Sequence, residues 1–384
     1  MMTTNQIAKI RQYDQSIWMD YLNRSLIESG ELEDLIKNLN IRGVTSNPAI
    51  FKASIIGNKS YDADIKAGIE KKQSVEEICA HLIFDDIRKA CDIFRPIYEE
   101  SQKLDGYVSI EIPPSLARDT QKTISETQRF FKEINRPNVM IKIPGTPDGM
   151  AAIEQAISEG INVNITLLFS VDSYLAAAQA YIRGLETRVQ NNQPIDSIAS
   201  VASFFISRID VKVDELIDQR MKEIGTESLN EEARLSQIKG KVAIANAKIA
   251  YQKFKEIFGS ERWKALEEKG ANVQRLLWAS TSTKNPEYSD VMYVDELIGK
   301  NTVNTLPLKT LEVCADHCHP SADKIETNVD HAYQLMESLQ DPDIQIDLDQ
   351  VMAELLEEGI DQFTQPYDEL MQSLTDKAQQ LTTV

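Results

Sequence analysis

Short apolar runs rich in β-branched residues recur along the chain, separated by stretches whose apolar residues fall at helical spacing. Eight such runs stand out, at residues 17–20, 41–45, 107–111, 139–143, 161–167, 198–206, 275–280 and 302–306. Between them Leu32, Leu35, Ile36 and Leu39 repeat at helical intervals, as do Ile124, Thr127, Phe130, Phe131 and Ile134, the pattern of helices that bury one face. Thr146 followed by Pro147, with Gly160 further on, supplies a helix start and stop: a hydroxyl caps free amides, proline fits the first turn, and glycine suits the exit. Eight strands alternating with helices predict an α/β fold, a parallel (β/α)8 TIM barrel.

Two regions exceed a minimal barrel. Residues 210–270 have helical composition and are read as an insertion of extra helices. Residues 321–384 form a second helical region, with Leu355, Leu356, Ile360 and Phe363 interspersed with acidic residues. The expected division is a barrel domain over 1–320, including the insertion, and a C-terminal helical extension over 321–384 packed on the barrel.

Barrels of this type carry their active sites at the carboxyl ends of the strands, so the residues closing each run become candidates. They are Asp20, Thr45 with Asn47, Glu111, Lys142, Asn164 with Thr166, Ser203 and Ser280. Lys142 is the most informative, because Val139-Met140-Ile141-Lys142-Ile143 otherwise reads as a buried strand. Burial disfavours the charged form of an amine, and a neutral amine can attack a ketone to form a Schiff base. The plainer reading is an edge-strand lysine that blocks aggregation. A closed barrel has no edges, and strand alternation turns Met140 and Lys142 inward if Val139, Ile141 and Ile143 face the helices.

The other candidates also have plainer readings. Asp20 could cap a helix near residues 23–27, and Asn47 could hold the turn set by Pro48. Glu111, between Ile110 and Ile112, must be paired, hydrogen-bonded or protonated if buried, and a raised pKa would suit a proton shuttle. Asn162 and Asn164 sit at alternate strand positions, where two buried amides need partners such as sugar hydroxyls. Arg208, Ser280 and Lys284 fall where barrels often bind phosphate, although Arg208 and Lys284 could equally form surface ion pairs.

The net charge is −19, from 41 basic and 60 acidic residues. That balance argues against nucleic acid, whose affinity comes largely from Lys and Arg, yet a local cationic cluster could still hold a small anion. Four cysteines without framework spacing fit free thiols in a reducing compartment. The polar stretch 1–15 lacks the apolar centre of a signal peptide, and no run is long enough to span a bilayer. A soluble cytoplasmic protein, monomeric or homodimeric, with no membrane partner is expected. Cys314-Ala315-Asp316-His317-Cys318-His319 invites a metal reading, but its spacing is too compressed for a tetrahedral zinc motif, and no metal is expected.

These residues together resemble the transaldolases. Gly43-Val44-Thr45-Ser46-Asn47-Pro48-Ala49-Ile50-Phe51 is similar to one family signature, Val139-Met140-Ile141-Lys142-Ile143-Pro144 with Gly149 to the one carrying the Schiff-base lysine, and Asn162 to Ser170 to a third stretch. The resemblance runs in order over about residues 15–310, and the C-terminal helices look like those of the longer-chain branch. It implies a cofactor-free, metal-free aldolase mechanism on sugar phosphates. Lys142 would condense with C2 of a ketose phosphate such as sedoheptulose 7-phosphate or fructose 6-phosphate, and Asp20 would take the C4 hydroxyl proton. Glu111 and Thr166 would relay protons through a water, and Asn47 and Asn164 would hold the sugar and enamine, with Thr45 and Ser203 nearby. One departure concerns the phosphate. Much of the family has Arg two residues after the serine of the seventh strand, whereas this chain has Ser282 there and Lys284 beyond. Lys284 takes that role in this reading, with Arg208 and Ser280. The nearest alternative is a relative that cleaves fructose 6-phosphate to free dihydroxyacetone.

Overall fold

A computed structural model describes residues 5–224 and 229–382. Eight parallel strands close into a barrel in sequence order: β1 (Gln15–Asp20), β2 (Gly43–Thr45), β3 (Tyr107–Glu111), β4 (Val139–Pro144), β5 (Val163–Leu168), β6 (Ser200–Phe205), β7 (Arg275–Ala279) and β8 (Thr302–Leu306). Each expected run overlaps one of these strands, and the predicted (β/α)8 barrel is the fold observed. β1 pairs with β8 from Gln15↔Thr302 to Met19↔Leu306, which closes the sheet. β4 is hydrogen-bonded on both sides, to β3 and β5, so Lys142 is not an edge-strand lysine.

Alternation sorts the side chains. Ile17, Val44, Val108, Ile110, Val139, Ile141 and Ile143 are buried in the apolar core, the outward face expected when helices wrap a parallel sheet. The inward face is filled by size: a Cβ on Gly43 would fall 2.6 Å from the Trp18 ring. Trp18 plugs the barrel interior, and β2 concedes the space by having no side chain there.

Local sequence sets the punctuation. The helix Pro147–Ser158 starts at Thr146, whose hydroxyl accepts from the Gly149 amide, and Gly160 follows its end at φ +90°. The insertion read at 210–270 takes in most of the helix Ser207–Ile224 and the helices Leu229–Ile238, Val242–Phe258 and Glu261–Glu267; residues 225–228 within it lie outside the described residues, as do 1–4 and 383–384. After β8 come helices Leu308–His317, Val329–Ser338 and Leu348–Thr382. Along the last of these, Leu355 and Phe363 are buried and Leu356 and Ile360 partly so. Among the described residues no helix is long and apolar enough to cross a membrane.

At the amino-terminal end of the barrel lies a buried ionic knot. Asp105, just before β3, accepts from Ser16 Oγ (2.8 Å), Trp18 Nε1 (3.1 Å) and Arg275 Nη1 (3.0 Å), with Arg42 Nε 3.6 Å away. Arg275 Nη2 also donates to the Ser16 hydroxyl at 2.6 Å and the Thr302 carbonyl at 2.7 Å. These contacts tie the ends of β1, β2, β3, β7 and β8 together across the floor.

Candidate active site

At the opposite end the strands open on a cavity of about 170 Å³. Its walls include Asp20 from β1, Thr45 and Asn47 from β2 and the turn after it, Lys142 from β4, Thr166 from β5 and Ser203 from β6. Arg208, Ser280, Ser282 and Lys284 complete the polar wall. Phe205, Ala279, Thr305, Pro307 and Phe363 supply the remainder.

Lys142 is 5 % exposed. Its Nζ donates to the Ser46 carbonyl at 3.0 Å and lies 3.4 Å from Glu111 Oε2, its register partner on β3. The Phe363 ring sits 5.7 Å from the same nitrogen. The amine thus has a polar side toward β2 and β3 and an aromatic side toward the C-terminal helix.

Both carboxylates near this amine are held in their proton-binding form more strongly than usual. Burial pushes the Glu111 carboxyl up, the Lys142 charge works against that, and the Asp20 charge adds to it. Burial also raises Asp20, against the pull of Lys142, the Thr45 hydroxyl and Arg208. Apart from the 3.4 Å approach of Lys142 Nζ, neither Glu111 oxygen has a hydrogen-bond donor. Asp20 Oδ1 accepts from Thr45 Oγ1 at 2.6 Å, and the same hydroxyl lies 2.7 Å from that of Thr305. The capping alternative for Asp20 fails, because Asn23 caps the helix Arg24–Glu28 through its own side chain, which accepts from Leu26.

Asn47 is both turn former and wall: its Oδ1 accepts from Ile50 at the start of helix Pro48–Ile55 while the residue faces the cavity. The pair of strand amides divides differently from the expectation that both seek sugar hydroxyls. Asn162 donates to the carbonyls of Pro137 and Val139 and accepts from Ala199, so backbone satisfies it before the strand begins. Asn164 is fully buried, donating to Ser109 Oγ at 3.0 Å and accepting from Ser203 Oγ at 2.6 Å. It stands beside Lys142 in register and supports Ser203 from behind the cavity wall. Thr166, by contrast, has a buried hydroxyl with no partner. The residue after it, Leu167, is at φ +60° where the β5–β6 register shifts, strain of a kind that collects at functional sites.

The cationic side is built from the chain segments after β6 and β7. Arg208 opens the helix Ser207–Ile224, its guanidinium 5.1 Å from the Phe205 ring and its Nη1 without a partner. Burial lowers its pKa, opposed by Glu358, Glu111 and Asp20. Lys284 donates to Ser282 Oγ at 2.7 Å, and burial, then Arg208, lowers its pKa. The Ser207 and Ser280 hydroxyls lie 3.0 Å apart. Two cations, Arg208 and Lys284, and two hydroxyls, Ser280 and Ser282, on one cavity wall are a suitable cradle for a phosphate.

Sequence reasoning missed Ser282, Thr305, Phe205 and Phe363 as wall residues. Alternation along β8 could have pointed to Thr305, and the spacing from Ser280 to Ser282. Nothing local marks Phe363. Away from the cavity, Cys314 and Cys318 are buried against each other, whereas His317 contacts Asp290 and Asp316 at the surface and the His319 amide donates to Asp295. Among the described residues no three His, Cys, Asp or Glu side chains are grouped to hold a metal.

A closed parallel barrel that gathers a buried lysine, carboxylates and hydroxyls at the carboxyl ends of its strands has the architecture of a barrel enzyme, whose active site lies at that end. The profile of the Transaldolase/Fructose-6-phosphate aldolase family matches residues 17–374, and the chain belongs to that family. It is 59 % identical over 383 residues to a protein named transaldolase from Trichodesmium erythraeum, covering all of both chains. A protein named transaldolase 2 from Nostoc punctiforme matches equally, at 59 % over the full length of both. The transaldolase of Saccharopolyspora erythraea is 41 % identical, over 99 % of this chain and all of its own.

Proposed function

We propose that the protein is a transaldolase that carries a three-carbon dihydroxyacetone unit on Lys142. The observation that supports this most is the amine itself: it reaches a cavity deep in the barrel, 3.4 Å from Glu111, with Asp20 on the same wall. Lys142 attacks C2 of a ketose phosphate, sedoheptulose 7-phosphate or fructose 6-phosphate. The carbinolamine loses water to give the imine, with Glu111 and Thr166 passing protons through a water molecule. Asp20 then takes the C4 hydroxyl proton, the C3–C4 bond breaks, and an aldose phosphate leaves while the electron pair is held as an enamine on Lys142. An acceptor, glyceraldehyde 3-phosphate or erythrose 4-phosphate, is attacked by that enamine carbon. Its aldehyde oxygen recovers the proton from Asp20, and hydrolysis frees the new ketose.

Asn47, Thr45 and Ser203 hold the sugar hydroxyls, and Asn164 fixes Ser203. Arg208, Ser280 and Lys284 hold the phosphate, with Ser282 orienting Lys284 through their 2.7 Å contact. A lysine here is a point charge where a guanidinium would bind two oxygens at once, so Arg208 carries more of the anchoring. The reaction belongs to the non-oxidative pentose phosphate interconversions, and free thiols at all four cysteines fit a cytoplasmic setting.

The direct test is to add fructose 6-phosphate without acceptor, reduce with borohydride, digest and locate the adduct by mass spectrometry. A three-carbon adduct on the Lys142 peptide is expected; an active enzyme that takes up none would sink the imine mechanism. The family also includes fructose 6-phosphate aldolases by its own description. Acceptor dependence separates the two, because transfer requires an aldose phosphate and simple cleavage does not.

A further inference from the structure

The C-terminal helix Leu348–Thr382 lies over the barrel mouth and places one side chain in the cavity, Phe363. The ring is 7 % exposed and lies 5.7 Å from Lys142 Nζ. Its approach depends on Gly359, one helical turn earlier. A Cβ on Gly359 would come within 2.8 Å of Leu167 Cδ2 and 3.6 Å of Arg208 Nη1. The helix therefore rests directly on Leu167 at the strained end of β5 and beside the cationic wall, so closely that an added Cβ would force the Leu167 side chain or the helix to shift.

Polar fastenings hold the same helix from several sides. Lys212 bridges Glu354 at 2.9 Å and Glu358 at 2.6 Å, and Lys377 pairs with Asp62 at 2.5 Å. Arg118 pairs with Glu357, and Lys52 with Glu369. These partners come from the segments following β2, β3 and β6, so the helix is clasped around much of the rim.

We propose that Phe363 is a specificity-determining cap: by placing an aromatic ring over Lys142, it sets how the bound three-carbon unit divides between transfer and release. This rests on the Schiff-base reading above. When the first aldose phosphate departs, the enamine has two fates. Its nucleophilic carbon forms a C–C bond to an acceptor aldehyde, whose oxygen is protonated. Otherwise that carbon takes a proton, water adds to C2 of the resulting imine, the C–N bond breaks, and free dihydroxyacetone leaves the amine of Lys142. The second route needs a proton donor and water at the space the aldose has vacated. The polar side of Lys142 retains Glu111 and the Ser46 carbonyl for the proton transfers that every cycle needs. Over the amine a buried aromatic ring offers water no hydrogen-bond partner and disfavours its residence.

The test compares native protein, F363A, F363L and G359A, with circular dichroism and thermal melting as the check on folding. Two rates are measured from fructose 6-phosphate: ketose formation with erythrose 4-phosphate present, and dihydroxyacetone release without acceptor. Borohydride trapping is run on each. F363A is expected to retain the adduct on Lys142 and to raise the ratio of release to transfer at least tenfold, with F363L in between. G359A keeps the ring but crowds Leu167 beneath the helix, and it is expected to raise the ratio in the same direction, to a smaller extent; F363L decides the matter if F363A does not fold. A trapped adduct with the ratio within twofold of native in the folded variants overturns the proposal alone. No adduct in the native protein overturns the Schiff-base reading, and the cap with it.

Discussion

The two ends of this barrel bury charge in opposite ways. At the floor, Asp105 has both oxygens occupied, by Ser16, Trp18 and Arg275. At the mouth, Glu111 is also buried beside a cation, yet apart from that cation neither of its oxygens has a hydrogen-bond donor, and the Thr166 hydroxyl and Arg208 Nη1 are unpartnered. A carboxylate whose acceptors are filled by neighbouring donors has none left for a ligand and serves architecture. One left unfilled has its proton affinity raised by desolvation and is available to a substrate or water. Similar chemical groups in one barrel thus form a rivet at one end and, in the proposed reaction, a working group at the other.

The contrast is sharpest for the amine. K142A should lower transfer by at least about 10⁴-fold, the scale of removing a covalent nucleophile, and abolish the borohydride adduct while leaving the melting profile cooperative. Residual turnover above a hundredth of native would break the assignment. E111Q should reduce turnover by about 10² to 10⁴, the usual range for general acid–base catalysis, with imine formation in single-turnover trapping slowed to match. If trapping kept its native rate, Glu111 would be no working group.

Floor variants should behave in reverse. D105A leaves Arg42 and Arg275 without their shared carboxylate and should cost about 3–5 kcal/mol in urea unfolding. The molecules that remain folded should turn over at the native rate. A large loss of turnover in folded D105A would erase the distinction between the two ends.

Asp210 lies between these extremes. It accepts from the Ala243 amide and the Tyr293 hydroxyl, but burial still pushes its pKa up to about 7. Because the folded protein binds this proton more tightly than the unfolded chain, folding takes up a proton between ~4 and about 7, and stability falls as pH rises through that window. Urea titrations at pH 5 and pH 8 should show D210N losing at least ~1 kcal/mol less than native over that interval. An unchanged difference would mean Asp210 is ionised throughout. The smallest effect belongs to the rim: K212A removes two partly exposed ion pairs on the C-terminal helix and should change stability by no more than about 1 kcal/mol.

The barrel and much of its mouth were legible because they rest on local periodicity. Alternation in β4 assigned Lys142 to the interior, and Thr146-Pro147 marked a helix start that the structure has at the expected position. The pattern misled where identical residue types have different neighbours. Asn162 and Asn164 look equivalent in sequence, yet one is consumed by backbone groups and the other by serines on β3 and β6.

By itself, the sequence determined that eight strands alternate with helices, which strand faces turn inward, and that an amine, two carboxylates and several hydroxyls gather at one end. Those are consequences of a side-chain period of two, which needs no knowledge of distant contacts. Tertiary structure alone decided which buried groups would find partners, closing the Asp105 knot and leaving Glu111 open. It also decided that Phe363, far along the chain, would reach Lys142. Partner satisfaction and close approach are set by how strands and helices meet after the barrel closes, and no local spacing encodes that meeting.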